Sequence, residues 1–153
     1  MARRYAICVT ATGPNSTTLP YVTLIGTTAI RPRIYDVVMG SVATAADNAA
    51  RWEFQRCTTA GTAGSSVTPQ ALDPGDPAAA ATSGLAVFSA GPTLTASAFV
   101  LHWSQNQRAT FRWVAAPGGE LVIPATANNG LALMEMSIAG SAVAQEATIH
   151  YEE

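Results

Sequence analysis

Apolar and polar residues alternate in short runs along this chain, and clusters of Gly, Pro, Asn and Asp separate the runs. Alternation with a period of two places successive side chains on opposite faces of a strand, so these runs predict β-strands. A helical pattern is not sustained anywhere, because the abundant Ala is interleaved with Thr, Ser, Gly and Pro. The strand-like runs are Tyr5–Thr12, Tyr21–Ile25, Arg33–Met39, Ala50–Thr58, Leu85–Ser89, Thr93–Ser104, Arg108–Val114, Leu121–Ile123, Leu131–Ile138 and Val143–Tyr151.

These runs, some of them very short, predict about eight antiparallel strands in two packed sheets. The expected fold class is therefore all-β, a jelly-roll-like antiparallel sandwich with long loops. Alternation also predicts which side chains share a face. In Arg33–Met39 it sets Arg33, Tyr35 and Val37 against Ile34, Asp36 and Val38. In Thr93–Ser104 it sets Phe99, Leu101 and Trp103 against Ala96, Ala98, Val100 and His102. Both of these last faces are apolar, so we expect both to be covered.

Residues 59–84 lack any alternation. Gly61, Gly64, Pro69, the turn sequence Asp73–Pro77 and a run of alanines leave nothing periodic to bury there. We interpret this stretch as a long loop, either a mobile surface loop or an arm laid along a neighbouring subunit. The length of 153 residues fits a single β-sandwich domain over residues 1–153. Within it, residues 1–30 are a candidate N-terminal arm.

The chain is poor in charge, and this limits what it can bind. Charged residues make up 12% of it, against about 25% in an average protein. A net charge of −2 provides no broad positive field for a phosphate backbone, so nucleic acid is not an expected partner. No apolar run is long enough to cross a membrane, and the residues after Arg3 and Arg4 do not form a secretory signal. We expect much of the outer surface to be covered in an assembly.

Residues with catalytic or metal-binding chemistry do not form a known pattern. His102 and His150 lie beside no nucleophile motif, and Asp73 and Asp76 flank a rigid Pro-Gly turn that does not suit a calcium loop. The glycine-rich segment Gly61–Ser66 lacks the Lys of a phosphate-binding loop. The sequence therefore predicts no catalytic residues, no metal site and no cofactor. Cys8 and Cys57 are expected to be reduced, buried packing residues.

The basic residues are all arginines, which pair with carboxylates through two hydrogen bonds and stack on rings. Arg31 and Arg33 flank Pro32, and Arg108 and Arg112 share one face of the run Arg108–Val114. We select these four arginines as candidate interface residues; the alternative is that they are ordinary solvated side chains. On the opposite face of that run, Phe111 and Trp113 are expected to enter the core.

Several segments are distinctive as a set: Arg31–Ser41, Asp47–Ala50, Thr68–Pro77, Asn106–Leu121 and Ala147–Glu153. Together they resemble small virion proteins of tailed bacteriophages, a group that includes proteins similar to head decoration, or cement, proteins. The part before Arg31 matches this group less clearly. The resemblance implies a location on the virion and brings no catalytic residue with it.

The resemblance and the low charge lead to one expected function. The protein would be a structural virion protein on the capsid surface, assembled in the host cytoplasm, that stabilises the shell by bridging subunits of the phage major capsid protein. We expect a homo-oligomer, most simply a homotrimer, and no enzymatic activity. The alternative is a jelly-roll binding module on the virion that recognises host surface glycans by stacking Trp52, Trp103 or Trp113 on sugar rings.

Overall fold

The computed structural model describes residues 2–42, 44–85, 87–138 and 143–153, which form an all-β protein. Within these ranges no helix is long and apolar enough to cross a membrane. The strands are β1 (Arg4–Thr12), β2 (Val22–Ile25), β3 (Arg33–Ser41), β4 (Ala49–Cys57), β5 (Ser65–Val67), β6 (Gln70–Ala71), β7 (Thr82–Leu85), β8 (Leu94–Asn106), β9 (Phe111–Val114), β10 (Leu121–Val122), β11 (Gly130–Ile138) and β12 (Ala144–Glu152).

The strands form two antiparallel sheets. Sheet A has the order β6, β1, β12, β3, and both β9 and β10 pair with the remaining edge of β3. Sheet B has the order β5, β7, β2, β11, β4, β8. The first and last long strands are neighbours, with a register that runs from Arg4 opposite Glu152 to Thr12 opposite Ala144. The two ends of the chain are therefore held together in the middle of sheet A.

The hydrophobic core lies between the two sheets. Its large members come from alternate positions of the central strands: Tyr5, Ile7, Ile34, Trp52, Phe54, Leu131, Leu133, Ile149 and Tyr151. In β1 and β12 these buried residues alternate with positions on the outer face, as period two requires. At one end Arg56 of β4 crosses between the sheets and donates to the carbonyl of Val122 in β10, at 3.0 Å.

β-Bulges interrupt the predicted alternation of β3 and β8, because an extra residue moves the positions on one side of it to the opposite face. The register of β3 on β12 shifts between His150 and Tyr151, so Tyr35 lies on the outer face instead of sharing a face with buried Val37. The register of β4 on β8 shifts between Phe54 and Gln55. Phe99 consequently lies on the outer face of sheet B, 42% exposed, and the prediction that it shares a face with Leu101 and Trp103 was wrong.

The boundaries of several elements also differ from the prediction. The stretch predicted as a loop over residues 59–84 contains β5, β6 and most of β7. β5 pairs with β7, β7 with β2, and β6 with β1. These pairings give the backbone N–H and C=O groups hydrogen-bond partners and do not require alternating apolar side chains. The strand placed at Leu85–Ser89 is instead Thr82–Leu85. The run Arg108–Val114 becomes a strand only at Phe111, and Arg108 lies in the turn before it. Residues 1–30 contain β1 and β2, which belong to the two sheets.

Candidate interaction surface

The strands β8 and β9 form one side of the sandwich, which we call the β8–β9 side. β8 is the last strand of sheet B, and β9 lies at the edge of sheet A. A short turn over residues 107–110 joins them. In the described part of the chain β8 pairs only with β4, so its other edge is open along 13 residues. An open strand edge exposes backbone donors and acceptors that can pair with another chain.

An aromatic stack fills the gap between the two sheets on this side. The rings of Trp103 in β8 and Phe111 in β9 are parallel within 5°, with centroids 4.2 Å apart. Trp113 lies opposite Val37 and also packs against the core. All three aromatic side chains are only partly buried, since each belongs to an edge strand with no further neighbour on that side. Phe111 and Trp113 thus face the core as predicted but do not lie fully inside it.

The outer face of β8 carries an exposed aromatic ring among small polar side chains and is uncharged. The exposed ring of Phe99 stacks on His102, with centroids 6.3 Å apart. Next to them is a shallow depression of about 440 Å³ lined by Arg51, His102, Trp103 and Ser104. From Leu94 to Asn106 the strand contains no Lys, Arg, Asp, Glu or Pro, the residues that usually protect an open edge.

The four selected arginines do not form one patch. Arg31 and Arg33 precede and begin β3, whereas Arg108 lies in the turn between β8 and β9 and donates to the carbonyl of Ala45 at 3.2 Å. Arg33 has its Nη1 3.9 Å from Oε1 of Glu152. Arg31 is exposed and has neither a hydrogen bond nor an ion pair with the residues that the structure describes.

Arg112 is engaged within its own chain. Its Nε and Nη2 donate to the two carboxylate oxygens of Asp36, at 3.1 and 2.8 Å. Asp36 is 6% exposed, and this pairing holds the pKa of its carboxyl below the usual value. Arg112 thus pairs with a carboxylate of its own chain, that of Asp36, which the bulge in β3 turned to the outer face; its contact with a partner stays a prediction.

A polar network surrounds this pair on the outer face of sheet A. His150 lies with its Nδ1 3.5 Å from Asp36, and its ring stacks on Tyr35 with centroids 6.1 Å apart. The guanidinium of Arg4 lies 5.6 Å from the centre of the Tyr35 ring, a cation–π contact that the sequence analysis missed. The distant strand positions of Arg4, Tyr35 and His150 provided no sequence signal for it.

The same face brings a histidine, a carboxylate and a cysteine onto neighbouring strands. Cys8 is exposed there, which corrects the prediction that it is buried, and Cys57 is buried as expected; both are free thiols. The Thr148 hydroxyl donates to Cys8 Sγ at 3.7 Å. Asp36 Oδ2 accepts from Arg112 and also lies 3.5 Å from His150 Nδ1, so the carboxylate contacts both side chains. Among the described residues no group of three His, Cys, Asp or Glu could hold a metal ion.

A buried carboxyl group lies at one end of the sandwich. Glu135 of β11 is 0% exposed, and its Oε2 accepts the Asn15 N–H at 3.3 Å while Oε1 has no partner among the described residues. Burial raises the pKa of Glu135 to about 7. Its carboxyl packs directly on Gly13, where a larger residue would not fit. The inward alternation Leu131, Leu133, Glu135 was the sequence signal that could have identified it.

The tryptophans differ in what they could bind. Trp52 is 0% exposed in the core and cannot stack on a sugar, while Trp103 and Trp113 present part of their rings on the β8–β9 side. The β8–β9 side is thus the part of the described surface where aromatic side chains and an open strand edge coincide. Comparison of the chain with known proteins found no matching family model, no similar curated protein and no similar solved structure.

Proposed function

We propose that this protein is a structural virion protein that decorates a phage capsid and stabilises it by bridging subunits of the major capsid protein. The observation that carries the proposal is the β8–β9 side, where an uncharged, open edge strand adjoins partly buried aromatic rings. Such a surface gains stability when another copy of the chain covers it, because apolar area leaves water and backbone groups find partners, and this supports a decoration protein that acts as an oligomer. The resemblance of Asn106–Leu121, which includes β9, to phage virion proteins supports the same assignment.

The strand order supports a jelly roll as the detailed fold. Eight of the strands form the two four-stranded sheets of a jelly roll. Their order is β1, β12, β3, β9 in one sheet and β2, β11, β4, β8 in the other. This is the arrangement expected when two Greek keys pack face to face, and jelly rolls recur in viral capsid and lectin domains. The short strands β5, β6, β7 and β10 are additions at the sheet edges.

We further propose that the decorating unit is a homotrimer. A ring of three copies uses a head-to-tail contact, in which the β8–β9 side of one copy meets a different surface of the next. The capsid contact would then use surfaces outside this ring. Arg31 is the best placed of the selected arginines for it, since its guanidinium is exposed and unpaired in the described part of the chain.

Cryo-electron microscopy of the parent phage tests the proposed function. We expect density for this fold on the head, at positions where it contacts two or more capsid subunits. Adding the purified protein to heads that lack it should also restore resistance to heating. Density on the tail alone, or heads that gain no protein and no stability, would contradict the proposal.

Glycan binding is the second candidate, and one observation favours it. The depression is lined by Trp103 and by the polar side chains of Arg51, His102 and Ser104, and the exposed ring of Phe99 stacks on His102 beside it. A ring next to polar side chains suits a sugar ring and its hydroxyl groups. Binding to a glycan array that is lost in Phe99→Ala and kept in Leu72→Ala, an exposed residue elsewhere, would support this function. No binding by the native protein would exclude it.

A further inference from the structure

We propose that the open edge of β8 is a strand-addition site, and that its occupant is a second copy of this chain. This inference rests on the proposed assembly function and names the contact that joins the copies. It concerns the backbone of β8, which forms ladder hydrogen bonds to β4 on one edge and has no described partner on the other.

The hydrogen bonds at the end of β8 show which backbone groups face outward. Gln107 N–H donates to the carbonyl of Asn48 at 2.9 Å, and the register of β8 on β4 continues this pairing without a shift back to Leu101. In an antiparallel ladder alternate residues bond to the same neighbour, so Gln105 and Trp103 also face β4. His102 and Ser104 therefore direct their N–H and C=O groups to the open edge.

The bulges in β8 leave this part of the edge regular. Register shifts lie between Phe54 and Cys57 of the partner strand, opposite the first half of β8, and Ser97 there has a φ of 56°. A bulge twists an edge away from an incoming strand, whereas a regular ladder accepts one. The stretch from Leu101 to Asn106 is therefore the segment that an added strand would pair with.

A second copy fits this edge by charge and by size. The absence of charged residues from Leu94 to Asn106 leaves no charge on β8 that could repel a strand of the next copy. The regular stretch from Leu101 to Asn106 extends about 20 Å, the usual length of a β-strand, so one strand of a second copy can pair along all of it. The contact would also cover the exposed parts of Trp103 and Phe111.

A proline substitution in β8 distinguishes strand addition from contacts made by side chains alone. Ser104→Pro removes an N–H that faces away from β4, which an edge strand tolerates in the single copy but an added strand cannot pair with. Ser104→Ala keeps that N–H and is the matched control. By light scattering we expect an oligomer for the native protein and for Ser104→Ala, and a monomer with native strand content for Ser104→Pro. An oligomeric Ser104→Pro would overturn the proposal.

Hydrogen exchange on the native protein tests the same contact if the proline variant does not fold. At high protein concentration the amides of His102 and Ser104 should exchange as slowly as those of Trp103 and Gln105, and they should become fast on dilution. Fast exchange at every concentration would overturn the proposal, and so would protection that appears only on capsids.

Capsid binding is measured separately, so that failure of the inference and failure of the proposed function can be told apart. If the copies join through β8 but do not attach to heads, the proposed function is wrong and the inference stands. If Ser104→Pro still forms oligomers and attaches to heads, the inference is wrong and the proposed function stands.

Discussion

Glu135 places a carboxyl group inside the sandwich, and in the described part of the chain no guanidinium bonds to it. Its pKa of about 7 lies well above the 4.5 of an exposed glutamate, because burial disfavours the charged form. The folded protein binds the proton more tightly than the unfolded chain does. Stability from this group is therefore complete below pH 4.5 and is lost as the pH rises through 7.

We expect the unfolding free energy to fall by up to about 3 kcal/mol between pH 5 and pH 8 through Glu135. In Glu135→Gln, whose side chain stays neutral, this decrease should disappear, and denaturant melts at both pH values would measure it. Glu146→Gln, which removes an exposed carboxyl from β12, is the control and should keep the native pH dependence. An equal decrease in Glu135→Gln would show that another group titrates.

The two cysteines should differ in reactivity. Cys57 is buried, and burial raises the pKa of its thiol to about 11, whereas Cys8 lies exposed on sheet A. Mass spectrometry after treatment with iodoacetamide should find one modified thiol in the native protein and two in denaturant without reductant. Cys8→Ser should remain unmodified in the native state. Modification of Cys57 in the folded protein, or failure of both thiols to react in denaturant, would contradict this prediction.

Arg112 lies at the surface but should still stabilise the fold, because its carboxylate partner, Asp36, is nearly buried. Arg112→Ala should lower the melting temperature at pH 7 by leaving that carboxylate without its main partner. The pKa of Asp36 is lowered in the native protein, so its contribution is present above pH 3.8 and is lost as the pH falls further. The two melting curves should therefore converge in acid, and a constant difference would contradict this account.

At the scale of elements, a strand's position in its sheet decides what its side chains contribute. β4 lies inside sheet B with a neighbour on each edge, and its Trp52 is completely buried. β9 is a four-residue edge strand, so Trp113 has the same inward orientation but only partial cover. The alternation of β9 predicted that orientation correctly and could not indicate how much of the ring is covered.

The same substitution on these two strands should have different costs. Trp52→Ala should destabilise the protein by about 3 to 5 kcal/mol, the usual cost for a fully buried aromatic residue, and could prevent folding. Trp113→Ala should cost about 2 kcal/mol, since part of its ring stays in water. Urea melts of the two variants would measure the difference. Equal costs would mean that β9 is covered on its outer side in the native protein.

At the scale of the whole molecule, the low charge should determine how the copies associate. If the uncharged β8–β9 side joins them, the oligomer mass should not change between roughly 0.05 M and 1 M salt, because screening acts on charges and not on apolar contacts. Light scattering at both concentrations would measure this. Dissociation at high salt would point instead to the arginines as the main contacts, and a monomer at micromolar concentration would contradict the proposed trimer.

Local alternation was sufficient to predict an all-β protein with two sheets and the inward orientation of Phe111 and Trp113, because period two is a property of neighbouring residues. Tertiary structure alone decided the rest. One extra residue in β3 and in β8 moved Tyr35 and Phe99 to outer faces, and no local pattern marks where a bulge will fall. Pairing between distant strands brought Arg112 to Asp36 and left β8 at an open edge, since neighbours in a sheet depend on the path of the whole chain.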